Sequence, residues 1–172
     1  TNQSGEPSME RITGYGYYQW RVFEPLLLSA GVSYDHLRFP LNYRTPPIAS
    51  GQDSKDQISP KAGFTWTPAR DTTVRFAYTR SLGGVSFDQS ARLEPSQVAG
   101  FNQAFRSLIP EAIVGSIAGE KFETFGVALE QKFKTGTYLA VEGGLLNSDV
   151  KRVIGAVDFS AGFAGSASSL SG

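Results

Sequence analysis

The chain has one histidine, and it stands beside an acid, Asp35–His36. An imidazole next to a carboxylate could begin a general-base set. Such a set also needs a positioned nucleophile, and no Ser–His–Asp arrangement can be assembled from a single histidine at the end of a patterned segment. His36 therefore reads as a rim or interface residue, and no catalytic residue is assigned. Asp53 and Asp56 offer oxygen ligands of the kind Ca²⁺ takes, but they read as solvated loop acids, and no metal site is assigned. There is no cysteine, which excludes thiolate metal sites and a disulfide framework. Gly14, Gly16, Gly83 and Gly84 lack the lysine and hydroxyl of a phosphate-binding loop. What remains is recognition chemistry. Arg92, Gln97, Asn102, Gln103 and Arg106 lie in one polar stretch, where guanidinium groups suit carboxylate or phosphate and amides can donate and accept. Lys61, Arg75, Glu130, Lys132 and Glu142 are a second set, able to meet a solute or to pair across neighbouring strands.

The elements that must position these groups are strands. Ile58–Ser81 reads ISPKAGFTWT, PARD, TTVRFAYTRS. Ile58, Pro60, Ala62, Phe64 and Trp66 alternate with Ser59, Lys61, Gly63, Thr65 and Thr67. Val74, Phe76 and Tyr78 alternate with Thr73, Arg75, Ala77 and Thr79. Period two places successive side chains on opposite faces, and the turn chemistry of Pro68 and Asp71 closes a hairpin. A soluble sheet could show the same alternation. The length of both runs suits a tilted membrane strand better, and in a transmembrane barrel the apolar face meets lipid while the polar face lines the lumen.

The same pattern recurs along the chain. It predicts strands near 11–22, 26–38, 57–67, 72–81, 122–133 and 138–149. In 26–38, Leu26, Leu28, Ala30, Val32 and Tyr34 oppose Ser29, Gly31, Ser33 and Asp35. In 11–22 the split is blurred by Tyr15 and Tyr17 on the polar parity. Gly31, Gly63, Gly126 and Gly144 all fall on the polar face. Short turns at Phe23–Pro25, Pro68–Asp71 and Lys134–Gly136 alternate with long loops 39–56 and 82–121, as in outer-membrane barrels. Trp20, Trp66, Phe133 and Tyr138 beside the short turns, and Tyr34, Tyr78 and Phe122 near the long loops, suggest two aromatic girdles. Val98, Phe101, Phe105 and Leu108 have the spacing of a short amphipathic helix between Pro95 and Pro110. Val150–Phe159 is read as an extension of the last strand.

Composition limits the function. In 172 residues, 16 Lys plus Arg balance 16 Asp plus Glu, so nothing points to nucleic acid. No apolar run is long enough for a membrane helix, which leaves a barrel untouched. The start at Thr1 and the AGFAGSASSLSG tail suggest a fragment or a processed chain. The predicted fold class is all-β: antiparallel up-and-down transmembrane β-barrel hairpins, about six strands of a larger barrel, with a short helix in a long extracellular loop. Residues 1–172 form one partial barrel domain. Arginine at Val32 should then be costly in a bilayer, and arginine at Ser33 cheap.

QISPKAGFTWTPARDTTVRFAYTRSLGG and KFETFGVALEQKFKTGTYLAVEGGLLNSDVKRVIG resemble the barrel of TonB-dependent outer-membrane receptors. The matching residues are Ser59, Pro60, Lys61, Gly63, Trp66, Pro68, Thr72, Thr73, Arg75, Tyr78, Arg80 and Ser81, then Glu123, Gly126, Glu130, Gln131 and Phe133. The resemblance implies a bacterial outer-membrane receptor that binds and takes up a scarce small solute, without chemistry of its own and without a cofactor. It implies outer-membrane lipid, the remainder of the barrel, a plug domain and a TonB-type energy-coupling protein as partners. A passive porin or polymer-export barrel, with or without fused periplasmic helical repeats, is the alternative. An outer-membrane protease or lipase would need a polar catalytic cluster at the rim, which the sequence does not show; a soluble β adhesion domain would need no detergent.

Overall fold

The computed structural model describes residues 9–40, 51–83, 92–106, 119–149, 153–157 and 167–171. Six long strands form one antiparallel sheet: β1 (Glu10–Phe23), β2 (Leu26–Pro40), β3 (Gln52–Ala69), β4 (Thr72–Leu82), β7 (Lys121–Lys132) and β8 (Tyr138–Asp149). Their order in the sheet is their order in the chain, so the topology is a pure meander. Between β4 and β7, a miniature hairpin of β5 (Gln97–Val98) and β6 (Phe101–Asn102) is followed by a 3-10 turn, Ala104–Arg106. β9 (Val153–Val157) and β10 (Ala167–Ser171) form a separate antiparallel pair.

Glu24–Pro25 and Arg70–Asp71 close two of the hairpins as two-residue turns. The third closes with Gly136 at φ +82°, a left-handed conformation that glycine adopts without a Cβ penalty. There the Phe133 amide donates to the Thr137 carbonyl at 2.8 Å. The longer connections, β2–β3 and β4–β7, lie at the opposite end of the meander.

The register assigns every side chain to a face. Tyr18↔Ala30, Leu28↔Phe64, Phe64↔Phe76, Phe76↔Val127 and Val127↔Gly143 run across one face. This face is apolar and open: Ile12, Tyr18, Trp20, Val32, Ile58, Val127, Leu129, Val141 and Leu145 are all exposed. The other face is polar and covered: Ser33, Asp35, Gln57, Ser59, Lys61, Thr79 and Ser81 are buried. A water-soluble sheet buries its apolar face. Here the arrangement is inverted, as a sheet with lipid on its outer side requires. Among the described strands β1 and β8 are the sheet's edges.

Several expectations change. β2 and β3 continue pairing through Phe39↔Asp53 and Pro40↔Gln52, so ladder replaces both ends of the expected loop 39–56. Proline is tolerated at a strand terminus, and residues 41–50 lie outside the described ones. The helix expected between Pro95 and Pro110 is not formed in its described part, which holds the β5–β6 hairpin and a single 3-10 turn. Ala99 at φ +49° and Gly100 at φ +90° make a left-handed turn that an α-helix cannot contain. Leu108 lies outside the described residues. Phe122 is buried on the polar face, and Tyr138 pairs with Lys132 on that same face, so neither joins an outward girdle. Trp20 and Trp66 do face outward. β9 pairs with β10 in a separate two-stranded sheet, and residues 150–152, through which it would prolong β8, lie outside the described ones.

Candidate functional site

The polar face is organised in rows across the sheet. One row is Tyr17–Gly31–Lys61–Thr79–Thr124. The next, two residues nearer the short turns, is Gln19–Ser29–Gly63–Ala77–Gly126–Gly144. With so little side chain, Ser29, Gly63, Ala77 and Gly126 form a trough, and the β5–β6 hairpin lies in it. A Cβ built on Gly63 would meet Val98 Cγ1 at 3.1 Å and Ala99 Cβ at 3.0 Å; one on Gly126 would meet the Phe101 ring at 2.5 Å. These polar-face glycines are seats for the segment 92–106, which lies over the sheet as a strap.

The arm of the strap before the hairpin is fixed by charge. Glu94 Oε1 accepts a hydrogen bond from Tyr17 Oη at 2.6 Å and one from Lys61 Nζ; Glu94 Oε2 accepts from Arg92 Nη2 at 2.8 Å. Asp35 Oδ1 accepts from Arg11 Nη2 at 2.8 Å, Arg11 Nε at 3.2 Å and Thr13 Oγ1 at 2.7 Å, and lies 3.4 Å from Arg92 Nη2. Arg11 Nη2 also donates to the Leu82 carbonyl at 2.9 Å. The side chains of Lys61, Asp35 and Glu94 are 0%, 0% and 1% exposed, so these charges have left water and depend on one another. The Arg92 guanidinium stacks 3.9 Å from the centroid of the Phe105 ring. Gln103 Nε2 donates to Tyr17 Oη at 2.8 Å and to the Pro95 carbonyl at 2.7 Å.

At the loop end of β7, Glu120 is buried beside Lys55 and Ser148. Burial pushes its carboxyl up to about 7, against the lowering effects of the Ser148 hydrogen bond and the Lys55 charge. Its backbone carbonyl accepts from the Gly83 amide at 2.6 Å.

The residues proposed from sequence for recognition fall into three groups. Arg92 and Gln103 are buried in the contact between strap and sheet. Gln97 and Asn102 face each other across the hairpin, with Gln97 Nε2 donating to Asn102 Oδ1 at 3.0 Å, and both are exposed. Arg106 ends the 3-10 turn, and its side chain is outside those described. Lys61, Arg75, Glu130, Lys132 and Glu142 all fall on the strap-bearing face. Arg75 and Glu130 pair at 3.1 Å, Lys61 lies under the strap, and Lys132 and Glu142 are exposed.

Asp35 and His36 point to opposite faces. His36 Nδ1 lies 2.8 Å from Asp56 Oδ1, to which Tyr34 Oη donates at 2.6 Å, all on the outward face. Sequence reasoning missed Arg11, Thr13, Tyr17 and Glu94 as members of the buried network. The available signal was the pair of tyrosines on the polar face of β1: a ring of that size is stable there when something covers it. Tyr15 Oη donates to the Leu93 carbonyl at 3.1 Å and Tyr17 Oη to Glu94.

No curated protein and no solved structure matches the chain. A family model described as TonB dependent receptor-like, beta-barrel, matches residues 2–163. With its meander of long strands, its outward apolar face and that match over nearly its whole length, the chain belongs to the TonB-dependent receptor-like β-barrel family of outer-membrane receptors and transporters.

Proposed function

We propose that the chain is a section of the wall of an outer-membrane receptor that binds a scarce small solute and takes it up with energy from a TonB-type protein. The observation that carries this reading is the strap. A passive pore keeps its polar wall open to water, whereas here residues 92–106 lie on that wall and bury its charges. A passage lined this way is occluded at rest, as an energised receptor needs and a diffusion pore does not. On this reading the covered face is the lumen, the open apolar face meets outer-membrane lipid, and the remaining strands and a plug domain complete the barrel. The exposed Gln97–Asn102 amide pair is then the part of the strap presented to a solute. No bond-making step is required of the chain.

The test uses the full-length protein in planar bilayers and in cells. The expected result is low conductance at rest, with uptake abolished when the energy-coupling protein is removed. A persistently open conductance, with uptake indifferent to that protein, would establish the passive-pore alternative.

A further inference from the structure

The Glu94 carboxylate occupies a position built for an anion. Its donors are Tyr17 Oη and Lys61 Nζ from the wall and Arg92 Nη2 from the strap itself. Of the two wall cations that reach this buried network, Arg11 is held by Asp35 through two nitrogen contacts. Among the described residues the acid that Lys61 contacts is Glu94, which the strap supplies. The Lys61 ammonium also lies 5.7 Å from the centroid of the Tyr17 ring and 5.4 Å from that of Phe105. If the strap lifts, Lys61 and the Tyr17 hydroxyl stay behind on the barrel wall without the carboxylate they contact, while the nearby Asp35 remains engaged by Arg11 and Thr13.

We propose that Lys61 and Tyr17 form a carboxylate-binding site on the receptor wall, and that Glu94 fills it in place of a solute carboxylate until an anionic solute displaces it and frees the strap. The chemistry is an exchange of one carboxylate for another on the same donors, with no covalent change. A solute can drive the exchange because it binds the strap-released wall and is excluded from the strap-bound one, and differential affinity of that kind is what shifts a conformational equilibrium. Glu94 competes as a tethered group, at an effective concentration on the order of millimolar. A simple carboxylate must therefore reach millimolar concentration to compete, and a physiological solute must add further contacts. The Gln97–Asn102 amides and Arg75 are polar groups on the same side of the sheet. The proposal rests on the receptor reading for the origin of the solute, but the position of the strap can be measured independently of transport.

Ala104, in the 3-10 turn of the strap itself, is 4% exposed, and the chain contains no cysteine. Ala104→Cys in the full-length protein, with any cysteine outside this chain replaced, gives one thiol whose reaction with a maleimide reports strap release. Glutarate is the probe, titrated from about 1 to 100 mM to bracket the effective concentration of the tethered carboxylate. Sodium chloride at matched ionic strength is the control, and inorganic phosphate in a parallel arm separates carboxylate from general oxyanion recognition. The expected result is a saturable, severalfold increase in thiol reactivity with glutarate, absent with chloride and smaller with phosphate. In a Glu94→Gln background the thiol should react fast without any anion. In a Lys61→Met background glutarate should have no effect. The proposal is overturned if glutarate leaves the rate unchanged, if phosphate or chloride matches it, or if Lys61→Met responds as the parent does. Energy-dependent uptake together with a glutarate-insensitive thiol would sink this site and leave the receptor reading standing.

Discussion

At the scale of single residues, the polar face is held by charges that cannot be removed one at a time. Asp35 neutralises Arg11, accepts from Thr13 and touches Arg92, with its own side chain fully buried. Asp35→Ala takes from Arg11 and Thr13 the carboxylate they both contact in a dry site, while Arg92 keeps Glu94, and breaking a buried pair this way costs about 3–5 kcal/mol. A urea refolding titration of the full-length barrel in lipid vesicles should show that loss, whereas Asp53→Ala, at an exposed acid, should refold like the parent. Glu120 gives a pH dependence whose sign follows from burial. Its folded-state pKa, about 7, lies above the ordinary 4.5, so the native state holds the proton more tightly than the unfolded one. The stability it lends is full below about 4.5 and falls as pH rises through 7. Thermal stability should therefore decline from pH 5 to pH 8 in the parent and decline less in Glu120→Gln. An equal slope in both proteins would show that Glu120 does not titrate in this range.

At the scale of elements, the strap and the trough fit through small residues. Gly126→Val would drive a side chain into the Phe101 ring, since even a Cβ there meets it at 2.5 Å, whereas at Gly144 a Cβ has its nearest neighbour at 3.5 Å. Limited proteolysis in 92–106 should accelerate in Gly126→Val and not in Gly144→Val, with both barrels assembled. If the two variants are cut alike, the trough does not hold the strap. The strands were legible in sequence because period-two alternation persists where one face must suit lipid and the other must not: Leu26 to Tyr34 needs no tertiary information. The strap was not legible. Val98, Phe101 and Phe105 fit a helical stripe by spacing, and the left-handed Ala99–Gly100 turn that breaks it lacks the Asn-Gly or Asp-Gly signature of a tight hairpin. The apolar stripe was a sound sign that the segment packs on something; what it packs on, a row of glycines and small residues from four strands, exists only after the sheet has set its register. The recognition residues were legible as types and not as roles. Arg92 and Gln103 were visible polar groups, but their burial depends on Tyr17 and Lys61, distant in the chain.

At the scale of the whole molecule, the decisive feature is which face of the sheet meets which medium. The apolar face is open across all six strands, and β1 and β8 have free edges among the described strands. Unpaired edges and a broad apolar surface promote association in water. Residues 1–172 produced alone should therefore aggregate in plain buffer and take up β structure in detergent; a soluble monomer with cooperative unfolding would contradict the membrane reading. A sharper test compares the two faces at similar depth. Val32 lies mid-strand on β2 and is exposed on the apolar face; Glu142 lies mid-strand on β8 and is exposed on the polar face. Ser33, which the sequence pattern alone offers as the tolerant position, is unsuitable because it is buried on the covered polar face. Arginine at Val32 must place its guanidinium in hydrocarbon, at about 2–4 kcal/mol near the bilayer midplane. Arginine at Glu142, exposed on the polar face, should stay in water if that face is the lumen proposed above, and cost less than about 1 kcal/mol, the range of ordinary surface changes. Refolding titrations of full-length Val32→Arg and Glu142→Arg in vesicles measure both. Equal costs would mean that the two faces see the same medium, and the sheet would not be a membrane wall.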